Sequence, residues 1–255
     1  MTAGGLFLAA VVGGTLNAVS GGGTFVCFPS LLLAGVPAVS ANATNTVALW
    51  PGVLSSTVAY RKEFGQAPHR LLLFVPSIAG GALGALVLLK TPSSIFEGLV
   101  PYLLLFATLL FAFGPAITRR FGPAGGPEAA HRPALPAAAA VAIQFVLALY
   151  GGYFGGGVGI LILAALGVMG VVEFHIANAL RTFLAVSING VAVVAFVVAG
   201  AVAWPEASVM LVGSIAGGYG GVTVIRRIKP ALLRRTVIGI GLGMTAYLFF
   251  RAYSG

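Results

Sequence analysis

Ser77-Ile78-Ala79-Gly80-Gly81 recurs without change as Ser214-Ile215-Ala216-Gly217-Gly218. Working outward from this pair, Gly21-Gly22-Gly23 matches Gly155-Gly156-Gly157, Ala41-Asn42-Ala43 matches Ala177-Asn178-Ala179, and Thr46 falls on Thr182. The offset drifts only from 134 to 137 positions across these matches. Self-similarity in register marks an internal repeat. Each unit holds one glycine-broken element followed by three long apolar runs. An odd number of crossings per unit turns the second unit over relative to the first. Charge agrees, because the loop after Tyr60 is basic (Arg61, Lys62) whereas its counterpart at Trp204–Glu206 is not. Paired broken helices in inverted repeats imply a ligand site near the membrane midplane, as in secondary transporters.

Composition places the repeat in lipid. Hydrophobic residues make up 59% of the 255 residues and charged residues 7%, with a mean hydropathy of +1.05. A soluble domain carries about 25% charged residues to cover its wetted surface. The chain therefore reads as an all-α integral membrane protein, with room for about six to ten crossings of roughly 20 residues. The net charge of +9 is not a nucleic-acid footprint, because the basic residues sit at the ends of apolar runs and form no face or arm. There is no aspartate, and Cys27 is the only cysteine, which excludes an intrachain disulfide and argues against a cysteine metal site. The run Leu6–Val12 has no basic residue before it, so the N-terminal segment is expected to remain in the mature protein.

The long runs are Ala41–Tyr60, Leu71–Leu89, Phe96–Ile117, Ile176–Ala203, Ala207–Ile225 and Thr236–Arg251. Pro68, Pro92, Pro205 and Pro230 fall between them, where they end or open helices. Two further stretches, Gly4–Ala34 and Pro136–Val172, are too long for one crossing and are interrupted by glycine clusters. Glycine inside a helix costs about 1 kcal/mol relative to alanine, and in lipid the freed backbone must be buried in protein or line a wet cavity. Both stretches are expected to be re-entrant hairpins or broken helices with midplane tips; two short, steep crossings are the other reading. The expected organisation is a first repeat at 1–118, a cytoplasmic linker at 119–135 and a second, inverted repeat at 136–255.

Arg61, Lys62 and Arg70 flank one loop, Arg119, Arg120 and Arg132 a second, and Arg226, Arg227, Lys229, Arg234 and Arg235 a third. Threading the runs places all three loops on one side, which the positive-inside rule makes cytoplasmic. Both termini are then outside, provided each hairpin starts and ends on the same side.

The two Gly-rich segments, Asn17-Ala18-Val19-Ser20-Gly21-Gly22-Gly23-Thr24 and Gly151–Gly159, each lead through an apolar stretch to an Asn/Thr motif. These motifs are Ala41-Asn42-Ala43-Thr44-Asn45-Thr46 and Ala177-Asn178-Ala179-Leu180-Arg181-Thr182. In this the chain resembles the TauE/SafE family of sulfite exporter-like permeases over nearly its whole length. The resemblance implies transport of sulfite, sulfonates or related anions across a bacterial or archaeal inner membrane. Asn45 is replaced by Arg181 in the second half, a departure from strict repetition.

Candidate substrate-binding residues follow from the breaks and the motifs: Asn17, Ser20, Gly21, Gly22, Gly23 and Thr24, then Asn42, Asn45 and Thr46, then Gly155, Gly156 and Gly157, then Asn178, Arg181 and Thr182. Return helices starting near Thr24 and Val158 would aim spare backbone N–H groups at an anion; close helix packing is the competing role of the glycines. Arg181 is the one basic residue well inside an apolar run. Its planar fork suits a sulfonate or carboxylate, against which stand snorkelling or pairing with Glu173. The asparagines and threonines could equally bond between helices. Glu173 and His175 are candidates for a proton relay or for capping the Ile176 helix. Trp50 and Trp204 read as interfacial anchors.

No cofactor and no metal is expected. The expected partners are a small anionic substrate and membrane lipid, with no nucleic acid; a homo-oligomer stays open. A channel of the same architecture is the alternative to a carrier. A membrane-embedded enzyme is a more distant one, since neither paired intramembrane carboxylates nor a metal cluster nor a nucleophile–base pair is evident.

Overall fold

Apolar runs rich in leucine, alanine and valine leave the backbone no partner in lipid but itself, which makes the helix their fold. The computed structural model describes residues 1–20, 22–59, 70–123, 135–171, 173–225 and 230–253. Among them are ten helices and no strand. The first half contains α1 (Ala3–Ser20), α2 (Thr24–Leu33), α3 (Ala38–Ala59), α4 (Arg70–Lys90) and α5 (Ser93–Phe121). The second contains α6 (Ala137–Tyr153), α7 (Val158–Val168), α8 (Phe174–Val198), α9 (Trp204–Ile225) and α10 (Pro230–Tyr253). Leu71–Lys90, Ser93–Phe121 and Phe174–Val198 are long and apolar enough to cross a membrane. Large apolar side chains such as Leu71, Val198, Tyr219 and Phe250 face outward, as a lipid-bathed surface requires.

Proline and glycine set the helix ends. Pro92 and Pro136 cap α5 and α6, Pro205 lies in the first turn of α9, and Pro230 opens α10. The run expected from Ile176 to Ala203 stops earlier, at Val198. Gly200 there adopts φ +65°, and the Ala201 N–H donates to the Phe196 carbonyl. The same close ends α2 and α7: Gly35 and Gly170 have φ of +86° and +89°, while Val36 and Val171 donate to Leu31 and Leu166. Only glycine takes this left-handed position cheaply. Pro29, Pro51, Pro76, Pro101 and Pro115 sit inside helices, which buried neighbours allow.

The main packing pairs recur when the halves are exchanged. α1 lies along α9 as α6 lies along α4, α3 meets α9 as α8 meets α4, and α5 meets α7 as α10 meets α2. α3 packs on its own counterpart α8, and α5 on α10. The contact of α3 with α5 is an exception, since α8 makes no comparable contact with α10 among the described residues. The close crossings match down to single residues. A Cβ on Gly217 would run into the Val11 carbonyl, and one on Gly80 into the Phe145 carbonyl. Gly80 and Gly217 are repeat mates, as are Val11 and Phe145. The structure thus uses Ser-Ile-Ala-Gly-Gly as a packing surface: with no Cβ in the way, backbones meet directly.

The two breaks hold the shortest helices. At 1.5 Å per residue α2 rises about 15 Å and α7 about 17 Å, against roughly 30 Å of hydrocarbon. α5 continues through Arg119 and Arg120 to Phe121. The intervening residues 124–134 lie outside the described residues, as do Arg61, Lys62, Pro68, Arg132, Arg226, Arg227 and Lys229.

Candidate functional site

The two breaks are built differently. At the second, Gly155 and Gly157 take φ of +79° and +76°, and α7 starts at Val158. At the first, Gly23 is right-handed (φ −59°) and α2 starts at Thr24. Gly23 is small there because the Gly13 carbonyl of α1 presses on it. Neither helix start has a side-chain cap. Local turns already use several first-turn donors: Phe25 and Val26 donate to Gly22 and Gly23, and Val158 and Ile160 to Gly155 and Gly157. Side chains therefore carry much of the polar character of the space between the breaks.

That space is a chamber of about 400 Å³. Asn17, Thr24, Asn45 and Thr46 line it from the first half, and Gly155, Gly157, Asn178, Arg181 and Thr182 from the second. Asn189 and Gly159 join them. Leu49, Trp50, Val53, Phe111, Phe154, Ile160, Leu163 and Phe174 supply apolar wall. No acidic side chain and no histidine is among the described lining residues.

Arg181 is half-buried and lies over the first turn of α7, where a Cβ on Gly159 would come within 3.2 Å of its Nη1. A guanidinium and the N-terminal end of a helix both carry positive potential. Their convergence, with no acid on the described wall, makes this end of the chamber attractive to an anion. At the other end Asn45 is buried; its Nδ2 donates to Thr24 Oγ1 (3.4 Å), and its Oδ1 has no donor among the described residues. Thr46 and Thr182 behave alike, each donating to the carbonyl one turn back, of Asn42 (2.9 Å) and Asn178 (2.7 Å).

Other expected residues lie elsewhere. Asn42 is buried off the chamber and donates to the Tyr153 carbonyl (3.1 Å) at the end of α6. It satisfies a carbonyl that the broken helix leaves without an intrahelical partner. Gly22, Gly23 and Gly156 do not line the chamber; a Cβ on Gly156 would press on Phe154 and Ala107. Gly21 and the side chain of Ser20 lie outside the described residues. The exposed Glu173 caps α8, accepting from the His175 and Ile176 N–H groups at 3.1 and 2.9 Å. His175 is exposed beside Phe174.

Sequence reasoning missed Trp50 as a wall residue, having read it as an interfacial anchor. Its indole N–H donates to the Val186 carbonyl (3.2 Å) and its ring lies against Gly190. Gln144 was also missed, although it stands alone in the apolar stretch Ala137–Tyr150. It is buried and donates to Ser77 Oγ at 2.8 Å, pinning α6 to α4.

The sequence profile of the family described as "Sulfite exporter TauE/SafE" matches residues 6–248. This chain belongs to the TauE/SafE family. It is 27% identical over 249 residues to a "Probable membrane transporter protein" of Haemophilus influenzae, covering 96% of this chain and 93% of that one. A "Probable membrane transporter protein ORF9" of a Sinorhizobium species is 28% identical over 247 residues, covering 94% and 90%. The "Probable membrane transporter protein YfcA" of Escherichia coli is 24% identical over 251 residues, covering 97% and 90%. No solved structure matches the chain. As a TauE/SafE member with long apolar helices, the chain is a transmembrane transporter.

Proposed function

We propose that this TauE/SafE protein is a secondary carrier of a small organic or inorganic sulfur anion, such as sulfite or an organosulfonate. Its halves act as inverted repeats, each a re-entrant hairpin plus three crossings, in the cytoplasmic membrane with both termini outside. The observation that carries the reading is the chamber between the two breaks. There Arg181 and the N-terminal turn of α7 converge, with no acid on the described lining. An anion leaving water needs such compensation, because an unpaired charge in a membrane interior is costly. The half-length α2 and α7 support the re-entrant reading, and the exchange symmetry of the packing supports the repeats.

In alternating access one repeat rocks against the other around a fixed site. One end of the α3–α9 contact is bonded shut: the Ala203 N–H donates to Thr44 Oγ1 (3.0 Å) and Ser214 Oγ donates to the Ala48 carbonyl (2.6 Å). Breaking these bonds would open the chamber toward the α2–α3 turn. On this reading the chain moves its ligand unchanged and is not an enzyme.

The test is thermal stabilisation of the detergent-purified protein by sulfite, thiosulfate, sulfoacetate, taurine, sulfate and simple carboxylates. A ligand that binds the native state raises the melting temperature by mass action. Stabilisation by a sulfur anion that Arg181→Ala abolishes is the expected result. An equal shift in wild type and variant would remove Arg181 from the site, and stabilisation by neutral solutes alone would remove the anion. Counterflow exchange in proteoliposomes then separates carrier from channel. Because the native Cys27 is buried, Thr2→Cys labelled by an impermeant maleimide on intact cells tests the position of the N-terminus.

A further inference from the structure

α5 and α10 pack antiparallel, and their contacts fix the register. Tyr102 meets Phe249 edge-on (ring centroids 4.9 Å apart), a Cβ on Gly241 would run into Thr108 Oγ1, and Arg234 Nη2 donates to the Ala112 carbonyl. The last turn of α5, with Arg119 and Arg120, therefore lies beside the first turns of α10, with Arg234 and Arg235. Arg119 is seven residues beyond Ala112, so it keeps the face turned to α10 about 10 Å further along. Arg120 stands in the same relation to the exposed Phe113 and keeps the outward face.

This end of the crossing is held in place. The Gly122 N–H closes on the Thr118 carbonyl, and a Cβ on Gly167 of α7 would run into the backbone of Phe121 and Gly122. Arg234 is half-buried, and its Nε has no acceptor among the described residues. Arg119, Arg120 and Arg235 are exposed. The acid on these two helices is Glu97, at the opposite end of α5, and Glu173 already accepts two N–H groups of α8. Beneath the arginines the surface is apolar, with Phe113, Phe121 and Leu232 exposed. Gly239 and Gly243 follow Arg235 by one and two turns and border open space, where an acyl chain can lie against backbone.

We infer that this end of the α5–α10 crossing binds an anionic phospholipid, with its phosphodiester on Arg119, Arg120 and Arg235 and its acyl chains along Phe113 and Gly239. The planar fork of arginine matches phosphate oxygens, and basic clusters between transmembrane helices suit lipid headgroups. Uncompensated cations at the edge of hydrocarbon are costly. A phosphodiester without a cation of its own removes that cost, whereas a choline headgroup brings a competing charge. Apolar side chains directly beneath the charges favour a phosphate that carries acyl chains over a free one. None of the four arginines lines the chamber, so this site is separate from that of the transported ligand.

The test is titration of the full chain, in a neutral detergent, with dioleoylphosphatidylglycerol or dioleoylphosphatidylcholine, read by native mass spectrometry. Phosphatidylglycerol is expected to bind at least about tenfold tighter than phosphatidylcholine. Arg119→Gln combined with Arg235→Gln should weaken phosphatidylglycerol binding about 25-fold, roughly fivefold per guanidinium, and leave phosphatidylcholine unchanged. Arg120→Gln alone, on the outward face, should lose about fivefold without disturbing a helix contact. Lys90→Gln with Arg251→Gln removes the same charge from other helix ends and should cost less than about twofold, since distant exposed charges are screened. Equal affinity for the two lipids, or equal losses in the two double variants, overturns the inference. Displacement of phosphatidylglycerol by an equal concentration of inorganic phosphate overturns it as well, because the site would then hold free phosphate. Each of these failures leaves the carrier reading as it stands.

Discussion

Asn42 and Asn178 are repeat mates, yet their side chains stand in different places. Asn42 is buried against the end of α6 and closes a carbonyl of the broken helix, whereas Asn178 stands half-buried on the chamber wall. One turn on, the contrast becomes one of charge, with the neutral Asn45 facing the chamber from α3 and the cationic Arg181 from α8. Thr46 and Thr182 remain equivalent, both lining the chamber and both bonded one turn back. The repeat thus preserves backbone register and local bonding while the chemistry of its centre diverges. Two equivalent cations would repel each other in the empty site and destabilise the unliganded protein, a cost that the neutral Asn45 avoids.

The sharpest way to break the comparison is to move the charge. Arg181→Asn should cost at least about 100-fold in anion affinity, in line with the loss of a hydrogen-bonded charge partner. Adding Asn45→Arg to that variant should restore part of the affinity. Titration of the single and double variants with one sulfonate checks both.

Next in size are the helix crossings, where the halves should respond alike. Gly80→Ala and Gly217→Ala each force a methyl into a carbonyl of the facing helix and should cost about 3 kcal/mol each, the upper range for overpacking. The readout is the melting temperature in detergent; a large effect in only one of the two would break the equivalence.

The asparagine mates should separate stability from binding. Asn42→Ala strands the Tyr153 carbonyl and should lower stability by about 1–3 kcal/mol with anion affinity unchanged. Asn178→Ala, on the chamber wall, should weaken anion affinity several-fold where Asn42→Ala does not.

The smallest contrast is between the glycine breaks. Gly157→Ala holds alanine at φ +76° and should cost about 1–2 kcal/mol. Gly22→Ala, whose Cβ would only touch Phe111 and Val237 at 3.4 Å, should be close to neutral. Equal melting temperatures for the two would show that the second break does not depend on its left-handed backbone.

Much of the candidate chamber lining was legible because the signals are local. A guanidinium inside an apolar helix, glycine triplets inside spans and an Asn/Thr motif at a fixed offset can each be seen without knowing any neighbour. Trp50 was misread for the opposite reason: a tryptophan near a helix end looks the same whether it meets headgroups or a second helix. The role of Asn42 was illegible because its partner is 111 residues away on another broken helix. The closes at Gly35 and Gly170 are also repeat mates and could have been read from Ala34-Gly35-Val36 and Met169-Gly170-Val171. They passed unnoticed because a Gly-Val pair is too short a match to stand out in a chain so rich in glycine and valine.

The sequence by itself determined the solvent, the helical class, the repeat and its offset. These follow from composition and periodicity, which act residue by residue and turn by turn. Tertiary structure decided which mates face the same void, that Trp50 lines it with Asn45 and Arg181, and that the Ser-Ile-Ala-Gly-Gly copies are contact surfaces. Those facts depend on how helices far apart in the chain cross. Side chains of the same type, one turn apart, can end in a sealed helix contact or in a chamber according to a crossing that no local pattern encodes.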